Sequence, residues 1–263
     1  MLKKLLKYDL KYMIKNMSVF YILALFFSLI TRILFSLEQT IMIKILGQIS
    51  VGCMFAMIAN ILINTVMRSW IRFRDSIYKD EAYLTHTLPV TKNEIYNSKF
   101  IQTLIFFIVG FLVILLSLFI TYYTKDRWLG IKNVISTITT GLEFNTTLFV
   151  ISIVAILFLE VFNSIQCGFF GIILGYKQNS GKIGFSVLFG FVSYLISQSI
   201  VLFIVFIVGL FNSNIMDLFT SNVLLDAKTL KLLIIISIIV YLIIIILMSI
   251  LCKKEFNKGV NIE

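Results

Sequence analysis

Few side chains in this sequence have the type and spacing that chemistry needs. His86 is the only histidine among 263 residues. It has no second imidazole and no neighbouring thiol, and HTLP at 86–89 lacks the HExxH pattern that sets two ligands and a base on one helix face. No GxSxG is present either, and with one histidine in the chain, His-based metal or triad chemistry is not expected. Cys53, Cys167 and Cys252 show no CxxC spacing and read as packing residues. The passage GYKQNSGKIG at 175–184 approaches a phosphate-binding loop, but five residues separate Gly175 from Gly181 and Ile183 stands where the Mg²⁺-binding hydroxyl belongs. The chain is expected to be no enzyme, with no cofactor or metal of its own.

Glu160 is the one carboxylate deep inside an apolar run, in FLEVFNSIQCG. An intramembrane acid protease would need two. Helical spacing sets Glu160, Asn163, Ser164 and Cys167 on one stripe, which should face other helices because a carboxylate in lipid is costly. Two readings fit: a polar patch on a translocation path or relay, and a structural interhelical hydrogen-bond cluster. Arg32, inside the first apolar run, is expected to snorkel toward the nearer surface.

The elements that hold these residues follow from composition. Hydrophobic residues make up 59% and charged residues 14%, and the mean hydropathy is +1.00, so most of the chain has lipid as its solvent. Six runs reach the roughly 20 residues needed to cross the hydrocarbon core: 18–37, 46–69, 100–123, 147–174, 184–211 and 230–252. The expected fold is an all-α polytopic membrane protein with six transmembrane helices in one domain, without a visible sequence repeat. Gly168 and Gly171 are plausible weak points in the fourth span.

The net charge of +10 is spread over short inter-span segments, which points away from nucleic acid and toward membrane orientation. With the N-terminus inside, sixteen Lys and Arg fall on cytoplasmic segments. Only six, Lys44, Lys125, Arg127, Lys132, Lys228 and Lys231, fall outside. Both termini are therefore expected in the cytoplasm. Residues 1–17, MLKKLLKYDLKYMIKNM, place Lys4, Lys7, Lys11 and Lys15 on one helical face and Leu2, Leu6, Leu10, Met13 and Met17 on another, an amphipathic interfacial helix for an anionic leaflet. Asp9 falls on the apolar side, and either pairs with a nearby Lys or meets a protein partner.

The largest polar window, RFRDSIYKDEAYLTHTLPVTKNEIYNSKF at 72–100, holds the only proline, Pro89. Residues 75–83 can form a short helix, Leu84 and Leu88 offer apolar anchors, and Pro89 stops helix continuation. Thr91 with Glu94 three residues on is a capping-box pattern. The other reading is a solvated loop shaped by topology alone.

Within this window, KDEAYLTHTLPVTKNEIYNSKF resembles the loop after the second span in small ABC-2 type permeases of low-GC Gram-positive bacteria, which carry a "YLT.TLPV" stretch followed by a basic segment and "SK". LLKYDLKYMIKN is similar to that family's amphipathic N-terminal helix. SIQCGFFGIILGYKQNSGKIGFSVLFGF resembles its passage from the fourth span to the fifth. Ala82 departs from the family's usual Gly. The resemblance implies a bacterial cell-membrane permease subunit of an ABC exporter, with a second permease subunit, identical or not, and two ATPase subunits that bind ATP and Mg²⁺. It also implies that residues 72–99 form a cytoplasmic coupling loop, with Asp80, Glu81, Tyr83, Leu84, Thr85, His86, Thr87, Leu88 and Pro89 contacting the ATPase. The sparse intramembrane polarity suits amphipathic or membrane-active substrates, peptides ahead of lipids and drugs. The alternative is an ATPase-independent six-span immunity or accessory protein.

Overall fold

The computed structural model describes residues 2–38, 40–79, 81–123, 129–130, 132–136, 139, 145–212, 215–216 and 227–259. Asp80, Lys125 and Arg127 lie outside the described residues. Seven helices can be given bounds among the described residues: α1 Leu2–Ser36, α2 Ile41–Tyr78, α3 Ala82–Thr87, α4 Lys92–Tyr122, α5 Thr146–Gly175, α6 Lys182–Phe211 and α7 Ala227–Asn257. All but α3 are long and apolar enough to cross a membrane, so the chain is an all-α, six-span membrane protein.

Helix starts follow local chemistry. Thr40 accepts the amide of Ile43 ahead of α2, and Asn145 accepts that of Thr147 ahead of α5. Thr91 and Glu94 form the expected capping box at α4, each side chain satisfying the other's backbone amide. Gly181, with φ +64°, ends the turn before α6 in a left-handed conformation that glycine adopts without strain.

The spans outrun the sequence boundaries at the polar end. α1 takes in residues 2–17 and runs unbroken into the first span, so the expected interfacial helix is the first half of a 35-residue helix. Its apolar face is not left for lipid: Met13 and Met17 are buried against Phe106 of α4. At 1.5 Å per residue, α1 is about 52 Å long and exceeds the roughly 30 Å hydrocarbon core. α2 likewise continues through Asp75 to Tyr78 because Phe73, Ser76, Ile77 and Tyr78 are all buried. The short helix expected at 75–83 is therefore divided, its first residues ending α2 and its last beginning α3.

The helices gather into two compact units, α1–α4 and α5–α7. In the first, α1 packs antiparallel to α2 and parallel to α4, around Ala24, Ile61 and Ile114. Away from the polar window, Thr31 bonds Ser50 at 2.8 Å. Arg32 donates to the carbonyls of Ile120 and Tyr123 at 2.9 and 3.3 Å, capping the end of α4 where unpaired carbonyls carry partial negative charge. The exposed Arg32 side chain thus reaches the end of a neighbouring helix.

In the second unit, α5 and α6 form a hairpin closed by residues 176–181, and α7 packs chiefly on α5 around Cys167, Val240, Ile244 and Met248. Gly168 and Gly171 do not interrupt α5. A Cβ on Gly171 would lie 2.6 Å from Gly190 Cα, and one on Gly175 2.5 Å from Ser186 Cα. These glycines are where two backbones touch.

Candidate functional site

The polar window becomes a helix–turn–helix–turn. After Lys79 caps α2, α3 runs over Ala82–Thr87 and Leu88 is extended at φ −67°, ψ 144°, as the residue before a proline prefers. The Val90 amide donates back to the Leu88 carbonyl at 2.7 Å, tightening the turn around Pro89. Thr85 Oγ1 donates to the Glu81 carbonyl, Thr87 Oγ1 donates to that of Leu84, and His86 Nε2 lies 3.1 Å from the Ile77 carbonyl at the end of α2. The histidine joins α3 to α2. Among the described residues no group of three His, Cys, Asp or Glu could hold a metal.

α3 is two-faced. Ala82 and Thr85 are buried, while Tyr83 is 66% exposed, Leu84 73% and Leu88 45%. Three large apolar side chains thus project from a single helical turn and the residue after it.

What holds α3 in place went unforeseen. Asp9, 1% exposed, sits among groups from two other helices. Its Oδ1 receives Lys99 Nζ at 2.5 Å and Arg72 through Nη2 at 2.9 Å and Nε at 3.0 Å, while Oδ2 receives Ser98 Oγ at 3.0 Å. Arg72 turns its remaining Nη1 to both carboxylate oxygens of Glu81, each at 2.7 Å, and lies over the Tyr12 ring, 4.6 Å from its centroid. Two carboxylates and two cations balance, and a planar guanidinium is suited to bridging two partners at once. The chain of contacts runs from α1 through α2 to the residue that begins α3. Of its members only Glu81 was named as a site residue. Asp9 on an apolar helix face was the available signal, but its partners are 63 and 90 residues away, beyond any local pairing rule.

The intramembrane stripe divides. Asn163, fully buried, donates to Ser197 Oγ at 2.8 Å, and the Cys167 thiol faces both Asn163 Oδ1 and Ser197 Oγ. Glu160, half-buried, accepts a long bond of 3.4 Å from the Tyr194 hydroxyl. Ser164 does not join them, since its hydroxyl bonds back to the Val161 carbonyl of its own helix. Gln198 accepts from Tyr241 of α7 at 3.2 Å, extending the polar belt to all three helices of this unit. Lys177, in the turn between α5 and α6, pairs with Glu255 at 2.6 Å.

Compared with family models, with curated proteins and with solved structures, the chain matches none.

Proposed function

We propose that this chain is the permease subunit of an ATP-driven exporter, with α3 as the element that a separate ATPase grips. The observation that carries the reading is the combination of an apolar face open to solvent with a charged brace behind it. A motor domain can transmit force only through an element that moves with the transmembrane helices. The Glu81–Arg72–Asp9–Lys99 chain ties α3 to α2, α1 and α4, so a push on α3 is a push on three helices. Charge distribution supports the same reading: the basic excess falls on α3's side of the spans, the bias that the positive-inside rule associates with the cytoplasmic face, where ATP is. The spans, poor in charge, suit amphipathic or membrane-active cargo, with two permease and two ATPase subunits per assembly.

The test is a search of the adjacent reading frames for a Walker A protein, and copurification of this chain with any such ATPase. Replacing Leu84 and Leu88 with Asp removes two exposed anchors without touching a buried group. It should weaken ATPase association by at least tenfold while leaving the thermal stability of the isolated chain unchanged. Undiminished association in that variant would refute the docking role of α3. A chain that retains no ATPase and still protects cells from a membrane-active compound would favour the accessory-protein reading.

A further inference from the structure

We propose that Glu160, together with Tyr194, recognises the ammonium group of an amphipathic peptide. This rests on the exporter reading and narrows its substrate class. Glu160 lies fourteen residues into the 30-residue α5, about 21 Å along its axis. Tyr194 and Tyr241 hold similar midway positions in α6 and α7. Every Lys of these helices, from Lys182 to Lys254, stands within five residues of a helix end, and none carries an Arg. Glu160 accordingly has no cationic partner among the described residues, and its one hydrogen bond comes from Tyr194. The contrast with Asp9, surrounded by donors, is sharp.

A carboxylate midway along a span is costly unless something positive meets it. An ammonium entering the bilayer carries the same penalty. Bringing the two together offsets both, since attraction strengthens where the dielectric is low. Tyr194, whose hydroxyl reaches Glu160, sets an aromatic ring beside the carboxylate. Exposure gives the direction of approach: Asn163, Ser197 and Tyr241 are buried, whereas Glu160 and Tyr194 are only partly covered. The amino terminus of an apolar peptide carries such an ammonium. Lipid ammonium groups stay at the surface, roughly 15 Å from the midplane, and do not reach this depth.

The probe is a dansyl-labelled, C-terminally amidated hexapeptide of leucine and phenylalanine, compared with its N-acetylated twin. Binding is measured on the full chain in phosphatidylcholine nanodiscs, with empty discs subtracted. The wild type should bind the free-amine form at least tenfold more tightly than the acetylated form. Glu160→Gln, which keeps the size and the bond to Tyr194, should bind the two alike, and Glu160→Asp should retain the preference. If the Gln variant does not fold, Tyr194→Phe should reduce the preference at least threefold. A wild type that does not distinguish the peptides, or a folded Gln variant that distinguishes them as well as the wild type, overturns the proposal. No ATPase is present in this assay, so its failure leaves the exporter reading to the copurification test.

Discussion

Replacing Asp9 with Asn tests the brace. The substitution keeps the volume and one acceptor oxygen but removes the charge, leaving Arg72 and Lys99 to share Glu81 alone. Arg72 and Lys99 side chains are 9% and 3% exposed, so water offsets little of the imbalance. Breaking a buried pair by removing one partner costs about 3–5 kcal/mol. For a chain of this size that corresponds to roughly 6–20 °C in unfolding temperature. The assay is thermal unfolding in detergent followed by tryptophan fluorescence, to which Trp70, two residues from Arg72, contributes. Adding Lys99→Met restores the balance, with one cation and one anion remaining, and should recover at least half of the loss, because a buried pair replaced by apolar groups is often close to neutral. Lys15→Gln, on the exposed face of α1, is the control and should shift stability by less than about 0.5 kcal/mol. The reasoning is refuted if Asp9→Asn lies within 1 °C of the wild type, or if the double variant is no more stable than the single one.

Two further outcomes are expected. Gly175→Ala places a methyl against the Ser186 backbone, where no flexible side chain can yield, so the α5–α6 contact must open. The expected loss is about 1–3 kcal/mol, read as a lower unfolding temperature, whereas Gly184→Ala, which meets nothing within 4 Å, should be neutral. Thr91→Ala removes one half of the α4 capping box and should cost about 1 kcal/mol, seen as faster amide exchange at the α4 start with no change around α7.

The spans were legible because lipid imposes a length and a composition that few other structures share. The starts of α5 and α6 fall within two residues of the sequence boundaries. The errors lie at the polar end, where hydropathy is the wrong ruler: Arg72 and Asp75 look like loop residues, yet α2 runs through them because Phe73, Ile77 and Tyr78 are buried by neighbouring helices. Residues 2–17 were rightly read as amphipathic, but the solvent for their apolar face is protein. Thr91 and Glu94 were readable because a capping box is a pattern four residues long. Asp9, Arg72 and Lys99 were not, because their pairing exists only once three helices are side by side. Asn163 was placed on the correct stripe, but its partner Ser197 lies 34 residues on, and nothing local marks which serine it will meet.

The sequence separations within these contacts also set an order of assembly during synthesis. Gly171 meets Gly190 after 19 further residues, so the α5–α6 hairpin can close almost as soon as α6 is made. Asp9 emerges before either of its cations and must wait for Arg72 and then Lys99, 63 and 90 residues later. At typical translation rates of about 5–20 residues per second, the second wait is roughly 5–18 s. Until Arg72 emerges, the carboxylate on the face of α1 that will later be buried has neither cation, and until Lys99 follows it has only one. α1 is thus unable to reach its final seat until α4 has begun to follow it, and a chain truncated before residue 99 should leave α1 open to protease or to a membrane chaperone.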